Sequence, residues 1–271
     1  MSKLVINGID VSKYQGQINW NTVSNSGVKF AMIRAGWCGY DGNIKEDEYY
    51  RTNMEGAIQA GLNVGVYVYS YAKTVDAAAI AARQTLELVK PYKVTYPIAF
   101  DVEDEIYTKY KPQDNNALVI AFLDAIERAG YYGIVYTYTY FAQTHLDMKN
   151  LKRFDMWIAD YRGYVGYKGA YGMWQYSAKG KIDGIGADVD LNMAYNDYPK
   201  IIQTAGLNNI PKVDLSVVNY KKYTIQKGDS FWSIAKSQMG NGLYFWKVAQ
   251  ANGLKVNSVI YPGQIIKIPN K

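Results

Sequence analysis

The stretch NVGVYVYSYAKTVDAAAIAARQTLELVKPYKVTYPIAFDVE, residues 63–103, decides the fold. Its first nine residues, NVGVYVYSY, are β-branched and aromatic, which predicts a strand over 63–71. DAAAIAARQTLELVK then has the alanine and leucine content and the spacing of a helix over 76–90. A Pro-containing turn follows, and YPIAFDVE predicts a second strand over 96–103. Strand, helix and strand in about 40 residues is a parallel βαβ unit.

The same rhythm extends in both directions. Strands are predicted over 4–10, 29–36 and 132–139, and helices over 19–27, 46–61 and 115–130, the last two closed by Gly61 and Gly130. After Tyr140 the pattern changes. RFDMWIADY (153–161), AYGMWQYS (170–177) and ADVDLN (187–192) read as strands joined by loops. Eight strands with few late helices predict an α/β fold: a flattened, incomplete β/α barrel of the TIM type. An open doubly wound sheet is the alternative. We expect one domain over 1–198, a linker over 199–221 with two Pro and weak periodicity, and a compact βααβ unit over 222–271.

Composition narrows the function. The net charge of +6 is uneven: from Lys222 onward there are seven Lys and one Asp, so the first 221 residues are near neutral. Such a basic tail suits nucleic acid, a membrane surface or an anionic cell wall; these Lys are scattered and unaccompanied by Arg, which argues against nucleic acid. His145 is the only His and Cys38 the only Cys, which excludes His-rich zinc sites and an intrachain disulfide. No metal or other cofactor is expected. No apolar run reaches ~20 residues, so membrane insertion is not expected. MSKLVINGID lacks the apolar stretch of a signal peptide.

Four carboxylates close the stretch quoted above: Asp101, Glu103, Asp104 and Glu105. On a strand, Asp101 and Glu103 share a face, with Cα atoms ~6–7 Å apart. Asp10 and Asp190 end other strands, and the ends of barrel strands converge on one mouth. Crowded carboxyls raise at least one pKa, which suits an acid that protonates a glycosidic oxygen beside an ionised neighbour. The other readings of the cluster are a solvated acidic loop, expected for Asp104 and Glu105, and a Mg²⁺ or Ca²⁺ site, although no EF-hand spacing or phosphate-cradling loop accompanies it. Cys38 and His145 raise a Cys–His peptidase, but GWCGYD has no look of a nucleophile at a helix start.

These motifs resemble glycoside hydrolase family 25, the Chalaropsis-type lysozymes. GIDVSKYQGQINW (8–20) is similar to the family's opening through Asp10, Ser12, Gln15 and Gly16. Asp101-Val102-Glu103, Trp174-Gln175-Tyr176 and Asp190 with Asn192 resemble its later motifs in the same order. The resemblance implies cleavage of the β-1,4 bond between N-acetylmuramic acid and N-acetylglucosamine in bacterial peptidoglycan. It implies Glu103 as general acid, Asp101 as stabiliser or as the group orienting the substrate acetamide, and Asp10 and Asp190 as shapers of the site. Tyr67, Tyr136, Trp157, Trp174 and Arg34 are candidate substrate contacts, with a packing role in the core or rim as the other reading of each, and Val68 stands where the family usually has His. YTIQKGDSFWSIA (223–235), VAQANGL and YPGQIIKIP resemble a LysM module, with Ile225 and Phe231 as departures, which implies binding of N-acetylglucosamine-containing glycans. Without a signal segment, the expectation is a phage endolysin made in the host cytoplasm and acting on the wall, with a protein secreted by another route as the alternative. A catalytically inactive glycan-binding protein is the remaining reading.

Overall fold

The computed structural model describes residues 4–211, 220–240, 242–254 and 258–269. The chain divides into two compact units, Met1–Lys212 and Val213–Lys271.

The first unit contains strands β1 (Ile6–Val11), β2 (Phe30–Cys38), β3 (Ile44–Glu46), β4 (Asn63–Ser70), β5 (Ile98–Asp101), β6 (Gly133–Tyr138), β7 (Asp155–Ala159), β8 (Met173–Gly180) and β9 (Val189–Ala194). Helices α1 (Trp20–Asn25), α2 (Tyr50–Gln59), α3 (Val75–Val89) and α4 (Pro112–Arg128) connect the early strands. Between β6 and β7 lie only the short α5 (Thr139–Thr144) and α6 (Met148–Leu151). The described residues hold no helix between β7 and β9, as the change of rhythm after Tyr140 predicts. The sheet runs β1-β9-β8-β7-β6-β5-β4-β2, and β1 also pairs with β2. That last pairing, Gly8 with Phe30 through Val11 with Ile33, closes an eight-stranded barrel and removes the open doubly wound alternative. Strand β9 runs antiparallel to both its neighbours, and β3 is an unpredicted hairpin partner of β2.

Side-chain alternation divides each strand between two cores. Outward residues such as Ile33, Val66, Phe100, Val135 and Ile158 pack beneath the helices, with Phe100 stacked on Phe122 of α4 at 4.4 Å between centroids. Inward residues such as Phe30, Met32, Ala99, Ile134, Trp157 and Met173 fill the barrel. Gly8 is inward as well, because a Cβ there would collide with the Phe30 ring.

The barrel floor corrects one expectation. Residues 199–211, read as the start of a linker, belong to helix α7 (Tyr198–Ala205) and the turn after it. Tyr198 and Ile202 are fully buried in the interior cluster with Phe30 and Tyr96. Burying two such side chains stabilises by about 3–6 kcal/mol. Asn208 ties the turn down: its Nδ2 donates to the carbonyls of Val94 (3.0 Å) and Tyr96 (3.1 Å), and its Oδ1 accepts from Tyr132 N (2.8 Å). Its φ of 56° lies in the left-handed region that Asn tolerates. Of the remaining linker, residues 212–219 lie outside the described residues.

The second unit pairs β10 (Tyr220–Thr224) antiparallel with β11 (Ile265–Pro269) and packs α8 (Phe231–Met239) and α9 (Phe245–Ala251) around Ile225, Ile234, Val248, Ile266 and Ile268. It is the βααβ arrangement read from the sequence, beginning two residues earlier. Ser230 caps α8 reciprocally with Ser233, and Gly240 ends it at φ 79°.

Candidate active site

Strand register determines what meets at the barrel mouth. Asp10 lies opposite Asp190 across β1 and β9, and Asp101 lies between Tyr69 of β4 and Tyr136 of β6. All are of inward parity. Asp10 is 4% exposed and Asp101 3%, whereas Glu103, just past the end of β5, and Asp190 are only partly buried. Asp104 departs from the solvated loop expected of it: it caps the 3₁₀ turn Glu105–Lys109 through Ile106 N (3.0 Å) and accepts from the Tyr69 hydroxyl (3.0 Å). Glu105 is exposed, as expected.

Asp10 sits in a directional network. The Trp157 indole can only donate, and its Nε1 lies 2.8 Å from Asn192 Oδ1. That assigns the Asn192 amide, whose Nδ2 then donates to Asp10 Oδ2 at 2.7 Å. Gln175 is set in the same way. Its Oε1 accepts from the hydroxyls of Tyr136 (2.9 Å) and Tyr161 (2.6 Å), so its Nε2 donates to the same Asp10 oxygen at 2.8 Å. Two amide donors on one oxygen leave the other to face Asp190 and any shared proton. The Oδ1 of Asp101 is buried and has no hydrogen-bond partner. A buried acceptor without a donor is costly, so this atom favours a proton or a donor arriving with a ligand.

Burial shifts all four carboxyls upward, and repulsion from neighbouring acids adds to it for Asp10, Asp101 and Glu103. Burial, then Asp190 and Asp104, push Glu103 up to about 7. Burial raises Asp190 to about 6, against the lowering effect of its hydrogen bond with Asp10. Asp10 is raised well above the usual range by burial and by Asp190, partly offset by the amides of Asn192 and Gln175. Asp101 is raised by burial and by Glu103. The cluster therefore holds protons into the neutral range, with Glu103 the partly exposed member that still carries one near pH 7. Among the described residues no group of three or more His, Cys, Asp or Glu is arranged to hold a metal ion.

Two clefts border this cluster. One of about 700 Å³ is lined by Tyr14, Arg34, Trp37, Tyr40, Tyr69 and Tyr71 among others. A second of about 450 Å³ is lined by Glu103, Tyr138, Tyr140, Tyr161 and Arg162 among others. The predicted contact residues separate accordingly. Arg34 lines the first cleft, held by Asp47 at 2.7 Å (Nη2) and 2.8 Å (Nε). Tyr67 is half-buried on the inward face, edge-on to Trp157 at 6.0 Å. Tyr136 and Trp157 are 6% and 1% exposed, packed together at 4.4 Å, and form the floor that orients Gln175 and Asn192; no sugar face is free on either. Trp174 has the opposite parity to Gln175, pairs with outward Ile158, and donates its indole N–H to the Asp160 carbonyl (2.8 Å), so the structure does not bring it to the carboxyls. The peptidase pair has different surroundings too: Cys38 is buried beside Ser70, and His145 packs on Phe141 and Tyr140.

Two residues of the site escaped the sequence reading. Asp47 is buried, accepting from Lys13 N (3.1 Å) and Tyr49 N (3.0 Å) as well as Arg34, but it lies inside a run read as helix. Tyr161 follows the β7 strand, and its position at a strand end was the available signal.

A closed barrel with a cluster of strand-end carboxyls, one of them protonated near neutrality on an open cleft, defines a glycoside hydrolase. Residues 9–185 match the model of glycosyl hydrolases family 25, and the chain belongs to that family; residues 223–269 match the LysM domain. YegX of Escherichia coli is 31% identical over 196 residues, 69% of each chain. The autolytic lysozyme of Clostridium acetobutylicum is 30% identical over 193 residues, covering 68% of this chain and 54% of that protein. The modular autolysin LytC of Streptococcus pneumoniae matches with a TM-score of 0.63 at 28% identity, covering 70% of this chain and 46% of that one. The chain thus spans about half of the clostridial lysozyme and of the pneumococcal autolysin.

Proposed function

We propose that the barrel is an N-acetylmuramidase, cleaving the β-1,4 bond between N-acetylmuramic acid and N-acetylglucosamine in bacterial peptidoglycan, and that the LysM unit holds it to the glycan. The observation that carries the reading is Glu103: a carboxyl raised to about 7, partly exposed, on the wall of a cleft and beside three more deeply or comparably buried acids. An acid with its pKa near working pH combines a high protonated fraction with readiness to transfer the proton, and Glu103 gives it to the leaving glycosidic oxygen. Positive charge then develops on the sugar ring, and the carboxylate of Asp190, whose pKa of about 6 leaves it largely ionised near neutrality, stabilises it. The unpartnered Asp101 Oδ1 suits the N–H of a 2-acetamido group, which would orient that group toward the reacting carbon. After cleavage the Glu103 carboxylate takes a proton from the incoming water.

Glu103→Gln keeps size and polarity but cannot protonate an oxygen. It is expected to abolish release of reducing ends from purified cell walls while sedimentation with those walls persists. Full activity in this variant would remove Glu103 from the role. Action on the wall requires delivery beyond the cytoplasmic membrane, and release during phage lysis is the route proposed here.

A further inference from the structure

Glu103 lies on a stretch without regular structure, between the end of β5 and the 3₁₀ turn Glu105–Lys109. Among the described residues nothing hydrogen-bonds its carboxyl, so its direction is set by the backbone on either side. On the β5 side Val102 N donates to the Tyr136 carbonyl (3.1 Å). On the other side the turn is pinned to two adjacent residues of β4. The Tyr69 hydroxyl donates to Asp104 Oδ2 at 3.0 Å, and the Tyr107 hydroxyl lies 2.6 Å from Ser70 Oγ. The Tyr107–Ser70 contact is fully buried and is braced by Asn115, whose Nδ2 donates to the Tyr107 carbonyl (3.0 Å). The Tyr69–Asp104 contact is half-buried and sits at the residue next to Glu103.

Both oxygens of Asp104 accept a bond, Oδ1 from Ile106 N (3.0 Å) and Oδ2 from Tyr69, which is the arrangement of a carboxylate. A fixed negative charge therefore stands beside Glu103. Other groups face Glu103 as well. The acids Asp10, Asp101 and Asp190 do so from β1, β5 and β9, and Asp10 and Asp190 share a hydrogen bond. The hydroxyls of Tyr136, Tyr138 and Tyr161 face it from β6 and from beyond β7, and burial keeps them neutral. Arg162, which lines the same cleft, is held by Asp160 at 2.7 and 2.6 Å, and Arg34 is held by Asp47. Asp190 and Asp104 both oppose ionisation of Glu103, and Asp104 is the one anchored outside the carboxyl cluster.

We propose that Tyr69 and Asp104 form a clamp on the acid of the reaction, Tyr69 fixing the direction of Glu103 and Asp104 supplying a fixed negative charge beside it. The inference rests on the muramidase reading and adds to it two positioning residues that act through Glu103. Their contributions separate by substitution. Asp104→Asn keeps an oxygen for Ile106 N and turns an amide N–H toward the Tyr69 oxygen, so the anchor stays and the charge goes. Tyr69→Phe removes the anchor and leaves the charge, while Tyr107 and Ser70 still hold the turn to β4.

The first readout needs no substrate. The Glu103 carboxyl is titrated in the full chain by carbon NMR of glutamate-labelled protein, with its signal assigned through Glu103→Gln. In Asp104→Asn its midpoint should fall by at least about 0.5 pH unit, as expected for the loss of one neighbouring charge. An unmoved midpoint would overturn the proposal. The second readout is release of reducing ends from purified cell walls as a function of pH. Asp104→Asn should match the wild type at acid pH, and its alkaline limb should move down by the same interval, roughly a threefold lower rate at pH 8. Tyr69→Phe should lose roughly fivefold in kcat at every pH, with KM and the urea midpoint little changed. Wild-type kcat in Tyr69→Phe, or a loss matched by a lowered urea midpoint, would equally overturn it. If the wild type releases no reducing ends the muramidase reading fails, and the carboxyl titration still judges the clamp; release by the wild type with an unmoved titration removes the clamp alone.

Discussion

Replacing Glu103 by Gln should stabilise the barrel while it destroys activity, and the gain should depend on pH in a defined way. The carboxyl rises from an ordinary 4.5 to about 7 on folding, chiefly through burial. The folded state therefore holds a proton that the unfolded chain releases between these values, and stability falls as pH rises across that window. At 1.36 kcal/mol per pH unit the cost approaches about 3 kcal/mol above pH 7, an order-of-magnitude figure for a partly buried group. Gln is neutral at every pH and escapes it. Urea midpoints of the barrel, read by pulse proteolysis of the full chain, should nearly coincide for the two proteins at pH 4. At pH 8 the variant should be more stable by about 2–3 kcal/mol. An equal difference at both pH values, or a less stable variant at pH 8, would refute the reasoning that burial and neighbouring carboxylates set the state of Glu103.

The remaining expectations follow from the same geometry. The rate at limiting wall concentration should decline about tenfold per pH unit above about 7, because Glu103 must be protonated to act as the acid; a rate flat to pH 9 would contradict it. Asp47→Ala leaves the Arg34 guanidinium, 13% exposed, without its carboxylate. The cost should be about 3–5 kcal/mol, seen as a lowered urea midpoint of the barrel. Tyr161→Phe removes one of the two donors to Gln175 Oε1. Loss of about 1 kcal/mol of orientation should lower kcat roughly fivefold, with KM and the urea midpoint little changed.

The parts of this site that follow local rules could be read from the chain. Period-two alternation in IAFDVE and the position of acids at strand ends sufficed to bring Asp10, Asp101 and Glu103 together, because parallel strands of a barrel end at a common rim. Asp190 reaches that rim differently from the reading that it ends its strand: it stands at the start of β9, which runs antiparallel to its neighbours. The residues whose roles the chain leaves open are those that depend on closure. Tyr136 and Trp157 look like platforms on a single strand, but the ring of strands turns them inward, where their polar atoms orient Gln175 and Asn192. The segment IIQTAGLNN resembles a linker because its apolar partners, Phe30 and Tyr96, are more than 90 residues away in sequence and meet it only at the barrel floor. Asp47 was hidden in a run of helix-like residues, since nothing local distinguishes an acid that will bind Arg34 from one facing water. Asp104 was similarly indistinguishable from Glu105 until the fold placed the Tyr69 hydroxyl beside it.

The bond that is cut separates a muramidase from every other wall hydrolase. Purified peptidoglycan digested by the full chain and reduced with borohydride should yield muramitol at the new ends, with no increase in free amines. New ends that reduce to glucosaminitol would show cleavage of the other glycosidic bond, and free amines without reducing ends would show a peptidase or amidase; either result contradicts the assignment of Glu103 as the acid of a muramidase.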